Sequence, residues 1–315
     1  MSISTDGAEN HELSGRQTTW RGMTLSLPSS FFIVFLLCDC STAGAQRQSK
    51  VAHAGIEPDR NRMIAVTVEE SPTLDATRAI AAILLQYDIP ATFFVVTDRI
   101  GQSPEYRELV LWLAARGFAV ASNTSTHADL SEAAGVQLDV EIDESISTLD
   151  RLVGAPTKFF RAKTNTLSEA AQARLRKLNV RTVGWTIDAN EMVFTDPETR
   201  RRQLWSRIIQ SNGGVIRIRD VAASAFLVAG LAIDLKRENC RRVETRKPLF
   251  VPVPLDVFDK GLETQDLKIQ FGRRTETIAG ACKSPMSHDL GDFPPGKPVR
   301  LPRKCSEDPM APECQ

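Results

Sequence analysis

Net charge is missing from this sequence: 39 Lys and Arg balance 39 Asp and Glu over 315 residues. Phosphate binding needs a basic surplus, so the balance argues against nucleic acid as a partner. The triplet Arg200-Arg201-Arg202 reads as a solvated helix face. No G-x-G-x-x-G and no P-loop occurs, so no nucleotide is implied. No C-x-x-C spacing occurs either, which leaves a zinc ribbon or a thioredoxin-like pair without support. Tyrosine is present twice, at Tyr87 and Tyr106, so aromatic platforms for sugar stacking are few. What is present is ordinary for a globular chain: 42% hydrophobic and 25% charged residues. That apolar content excludes a disordered polyampholyte, and the length allows a sizeable core.

Residues 31–38 read Phe-Phe-Ile-Val-Phe-Leu-Leu-Cys. The run is far short of the roughly 20 residues of a spanning helix. Arg16 and Arg21 precede it and Ala43-Gly44-Ala45 follows, the pattern of a secretory signal cut after Ala45. Met23 is an alternative start. Leu37 and Asp39 precede Cys38 and Cys40, and neither is small, which argues against lipoprotein processing. The expectation is a secreted or periplasmic protein. Cleavage leaves Cys240, Cys282, Cys305 and Cys314, an even set that reads as two disulfides with the pairing open.

From Arg62 to about Thr245, short apolar runs alternate with amphipathic stretches. Strands are predicted at Met63–Val68, Ala91–Val96, Phe118–Ala121, Lys158–Arg161, Val180–Thr186 and Val215–Ile218. Between or after them come helices at Leu74–Tyr87, from Pro104 on, and at Leu138–Val153, Ser168–Leu178, Pro197–Ser211 and Ala223–Asn239. Such repetition calls for a parallel sheet with helices outside it, a (β/α) barrel that is incomplete or distorted. The boundaries read as a signal segment 1–45, a linker 46–61, a domain 62–245 and a Pro/Cys-rich extension 246–315. Residues 284–315 carry seven prolines. That extension is expected as a tail strapped on by disulfides, not as further core.

The order of short motifs resembles the polysaccharide deacetylases, carbohydrate esterase family 4, also called the nodulation-protein-B homology domain. That family's first strand ends T-F-D-D-G-P, and here Thr67-Val68-Glu69-Glu70-Ser71-Pro72 stands in its place. The family's K-A-T-F-F-V is Pro90 to Val95 here. Its G-H-E-I-G-N-H-T-x-x-H-x-D-L aligns without a gap on Gly117 to Leu130. Phe160-Arg161 stands for F-R-x-P-Y-G. Trp185, Asp188 and Glu191-Met192 stand for the tryptophan strand with D-x-x-D-W. Ile216-Arg217-Ile218-Arg219-Asp220 stands for I-x-L-H-D. The resemblance implies a seven-stranded, incomplete (β/α) barrel.

It also implies metal-assisted hydrolysis of an N-acetyl group on a sugar, with an aspartate and two histidines holding a divalent metal. By position, Glu69 takes the general base, with Arg161 orienting it, and Asp188 is a further catalytic candidate. Glu70, Asn123 and His127 take the metal positions. Arg219 stands where a histidine would protonate the departing amine. Trp185 and Ile218 take substrate-binding positions, the latter against the acetyl methyl. Three substitutions weaken this chemistry. Glu69 is one methylene longer than aspartate. Asn123 offers an amide, a poor ligand for zinc. Arg219 stays protonated and cannot act as a general acid. Arg219-Asp220 is a candidate ion pair facing Glu69 or Glu70, with a guanidinium in place of the metal's charge. His53 and His288 have no position at the site.

These substitutions point to a secreted deacetylase-like protein with hydrolysis lost or much weakened, binding a cell-envelope glycan, an exopolysaccharide or an unidentified protein. The alternative is an active N-deacetylase with a divalent, zinc-like metal; the inactive protein needs none. A third class is a structural envelope protein whose cleft is closed by Arg219 or by the tail.

Overall fold

The computed structural model describes residues 62–190 and 196–282. All of them fall within the unit Gln48–Gln315. The apolar run at 31–38, Ala45, His53, Glu191, Met192, His288, Cys305 and Cys314 lie outside the described residues.

The strands are β1 (Met63–Ser71), β2 (Ala91–Val95), β3 (Ala119–Ser122), β4 (Phe159–Phe160), β5 (Arg181–Thr182), β6 (Ile187–Asp188), β7 (Gly214–Arg219) and β8 (Val251–Pro252). The path runs β5-β4-β3-β2-β1-β7-β6, and β8 joins the start of β1. Every pairing is parallel. No ladder joins β5 to β6 among the described residues, so the sheet curls into an incomplete (β/α) barrel. β1 is central and buried on both faces, as parallel strands are.

Alternation along the strands separates two apolar layers. Ile64, Val66 and Val68 of β1, with Ile216 and Ile218 of β7, face the outer helices and pack with Ile80, Leu84, Val228 and Leu231. Met63 and Ala65, with Val215, face the interior beside Phe94. The same parity turns Thr67 and Glu69 inward from β1, and Arg217 and Arg219 inward from β7. In register, Glu69 stands opposite Arg219. β7 can begin here only because Gly213 lies at φ +105, with a Cβ position 2.3 Å from the Met63 carbonyl oxygen.

The helices form where the periodicity placed them, with legible ends. Pro104 opens helix Pro104–Ala115. The hydroxyl of Ser168 and the carboxylate of Asp196 accept first-turn amides of helices Glu169–Lys177 and Pro197–Gln210. The stretch expected as one helix over 138–153 is split. A π-helical turn, Asp139–Glu144, precedes helix Ser145–Val153, which stops at Gly154 with φ 72. Of the strand expected over 180–186 only β5 forms, and β6 follows just beyond it at Ile187–Asp188. Arg161 takes the carbonyls of Val183 and Gly184 at 3.0 Å each, which removes them from the ladder.

The boundary expected at Thr245 is corrected. Helix Ala222–Glu244 is followed by β8 and by helices Leu255–Lys260 and Gln265–Ala281. Leu249, Val251, Val253, Leu255 and Phe258 are buried in the interior layer. The prolines at 248, 252 and 254 do prevent helix there, yet the apolar residues between them complete the core. Cys240 and Cys282 stand with Cα atoms 5.1 Å apart, which brings the last helix against helix Ala222–Glu244.

Candidate functional site

The candidate residues gather at the carboxyl ends of the parallel strands, where this architecture places its binding loops. Glu69 ends the inward row of β1 and is fully buried. Its Oε2 lies 3.9 Å from Nη1 of Arg161, and its Oε1 is held by Nε of Arg217. Asn190 adds an amide donor to Oε1 at 3.3 Å. Burial pushes the Glu69 carboxyl up, while Arg161 and Arg217 pull it back down.

Arg161 follows β4 and is buried as well. Its Nε donates to the Val183 carbonyl, Nη2 to that of Gly184 and Nη1 to the Thr67 hydroxyl, each at 3.0 Å. The Phe94 ring lies 4.1 Å beneath the guanidinium. Burial lowers its pKa to about 10, so it remains a cation at neutral pH.

Arg217 spans two carboxylates, Glu69 through Nε and Asp188 Oδ2 through Nη1 at 3.0 Å. Its guanidinium also covers the Trp185 ring at 3.9 Å. Arg219, half-exposed, places Nε 2.8 Å from Glu70 Oε1, an ion pair whose angle misses hydrogen-bond alignment. Asn190 ties the two rows together, because its Oδ1 accepts the Arg219 amide at 2.8 Å.

Asn123 is fully buried. Its Oδ1 accepts the Glu70 amide at 2.8 Å and its Nδ2 donates to the Arg161 carbonyl at 2.9 Å. Glu70, Thr124 and His127 all hold left-handed backbones, with φ of 59, 67 and 65. Such residues cost roughly 1–2 kcal/mol each and persist where neighbours enforce them. Here Asn123 holds Glu70. The Thr124 hydroxyl accepts the Ala128 amide at 3.0 Å, and the Glu141 carboxylate accepts the amides of Ser125 and Thr126 at 3.0 and 2.9 Å. His127 Nε2 is buried without a hydrogen-bond partner. Burial lowers the His127 pKa, Glu70 opposes it, and Lys163, Arg217 and Arg219 lower it further.

Residues 57–183 match the family model described as polysaccharide deacetylase. This segment belongs to the polysaccharide deacetylase family. The chain is similar to a chitooligosaccharide deacetylase of Rhizobium leguminosarum bv. trifolii, 30% identical over 138 residues, 42% of this chain and 60% of that protein. It is also similar to a peptidoglycan-N-acetylglucosamine deacetylase of Bacillus cereus, 26% identical over 139 residues, 44% of this chain and 50% of that protein. The chain thus spans 50–60% of the length of these curated relatives. Among solved structures, a peptidoglycan N-acetylglucosamine deacetylase matches with a TM-score of 0.54 at 19% identity, over 67% of this chain and 94% of that one. A carbohydrate esterase family 4 pseudoenzyme from Bacillus anthracis matches with a TM-score of 0.51 at 14% identity, over 58% of this chain and 63% of that one. These structural likenesses concern the fold.

The donor set of this domain does not fit a divalent metal. Of the three positions, Asn123 spends its oxygen and its amide nitrogen on backbone groups, and Glu70 already faces a guanidinium. Among the described residues, no group of three or more His, Cys, Asp or Glu side chains could hold a metal ion. Ile218 is corrected too: it lies on the outward face of β7 in the helix-side core, turned from the site. Trp185 lies at the site, but Arg217 covers its ring. Asp220 does not pair with Arg219. It accepts the Thr73 amide at 3.0 Å and the Thr77 hydroxyl, at the start of helix Leu74–Gln86. The sequence reading missed Arg217 and Asn190. Strand parity could have found Arg217, since it shares a face with Arg219.

Proposed function

We propose that this chain is a secreted polysaccharide-deacetylase-like protein that binds an N-acetylated glycan of the cell envelope or an exopolysaccharide, with hydrolysis lost or much weakened. The observation that carries this reading is the Arg219–Glu70 ion pair. One substitution replaces the proton donor with a permanent cation and sets that cation on the carboxylate of the metal position. The buried, locked amide of Asn123 supports it. A glycan partner is supported by the family, whose relatives are named for chitooligosaccharides and peptidoglycan. Export is supported by the run at 31–38 with its small-residue site, and by Cys240 and Cys282 standing at disulfide spacing.

One observation favours the second reading, a working N-deacetylase: Glu70 and His127 keep two of three ligand positions, and His127 Nε2 has no hydrogen-bond partner. One experiment separates the two. Purified full chain is titrated with chitooligosaccharides by calorimetry, and acetate is measured in the same samples after incubation with zinc. Binding without acetate is the expected result. Acetate release at the rate of an active deacetylase would establish the second reading.

A further inference from the structure

We infer that Arg217 is the built-in cation that closes this centre, and that reversing the motif substitutions alone does not open it to a metal. The inference rests on the metal-free reading above. Arg217 stands at the unspecified position of I-x-L-H-D, so no motif marks it. Its side chain is 12% exposed and lies between Glu69 and Asp188, over Trp185. A planar guanidinium suits this place, since it can hold two carboxylates at its edge while an aromatic ring covers its face. The ammonium of a lysine offers neither the fork nor the stacking surface.

The result is a row of alternating charge, Asp188, Arg217, Glu69, Arg161, with Glu70 and Arg219 beside it. Three carboxylates meet three guanidiniums, so the charges cancel without an ion from solution. A divalent ion on Glu70 and His127 would stand beside Arg219, which pairs with Glu70, and near Arg217, which holds the adjacent Glu69. Repulsion of that kind persists across several ångströms in a partly buried site. Restoring a histidine at position 123 and clearing position 219 therefore leaves the Arg217 cation in place.

Equilibrium dialysis of the full chain against zinc tests this with three proteins: wild type, Asn123→His/Arg219→Ala, and the same pair with Arg217→Met. The triple variant is expected to bind zinc at least about tenfold more tightly than the double variant. Equal affinity in the two would overturn the role of Arg217 and leave the proposed function standing. A full equivalent on wild type would instead overturn the proposed function. Because His at the buried position 123 can prevent folding, Arg217→Ala alone supplies a second test. It is expected to melt below wild type and to recover several degrees in millimolar methylguanidinium, which refills the vacated place. A melting point equal to wild type, or no recovery, would overturn the inference.

Discussion

Asp220 offers a pH test with a worked magnitude. Burial raises its pKa from 3.8 to about 6, against the pull of the Thr77 and Ser71 hydroxyls and the Thr73 amide. A carboxyl raised in the folded state holds its proton where the unfolded chain has lost it. Stability from this group is therefore full below the unfolded value and falls as pH rises through the folded one. At about 1.36 kcal/mol per pH unit the loss totals about 3 kcal/mol, most of it between pH 4 and 7. Asn at position 220 keeps the acceptor for Thr73 and Thr77 and carries no charge. Urea unfolding of wild type and Asp220→Asn at several pH values isolates the effect, since Glu69 and other groups titrate in both. The stability of the variant relative to wild type should rise by about 3 kcal/mol from acid to neutral pH. A difference constant within about 0.5 kcal/mol would refute the reasoning.

Three further outcomes follow from the same packing. Arg161→Met strands the carbonyls of Val183 and Gly184 and leaves Glu69 without one of its two cations, while the Thr67 hydroxyl keeps the Ile216 carbonyl. It should cost about 3–5 kcal/mol in urea unfolding, with Arg161→Lys recovering less than half. Glu141→Ala frees the amides of Ser125 and Thr126, and hydrogen exchange at those two amides should quicken by at least about tenfold. Cys240 and Cys282, 42 residues apart, would close a loop worth about 4 kcal/mol as a disulfide. Reductant should lower the melting point of wild type and leave that of Cys240→Ala unchanged.

Much of this fold was legible because its elements follow two simple periods. The β-rich run at Met63–Val68 became β1, and the helical spacing of Ile80, Ile83 and Leu84 became helix Leu74–Gln86. Two kinds of error have physical causes. Short strands are set by which carbonyls remain free, and Arg161 takes two that lie more than twenty residues ahead of it in the chain. No local pattern reveals that. Proline density around 248–254 signals broken helix, but the buried Leu249, Val251 and Val253 between the prolines signal core. The site was legible as positions and not as roles. Motif order brought Glu69, Glu70, Asn123, His127, Arg161, Asp188 and Arg219 to one end of the sheet. Which amide is locked and which cation sits on which carboxylate depends on long-range packing. Ile218 shows the cost of reading position without parity, and Arg217 shows the gain from applying it.

Guanidiniums, those of Arg217 and Arg219, hold the carboxylates Glu69 and Glu70 at this centre. Metal stoichiometry of the purified full chain, loaded with zinc or cobalt and then dialysed, tests it most directly. Less than about a tenth of an equivalent should be retained. One equivalent, lost on His127→Ala, would contradict it.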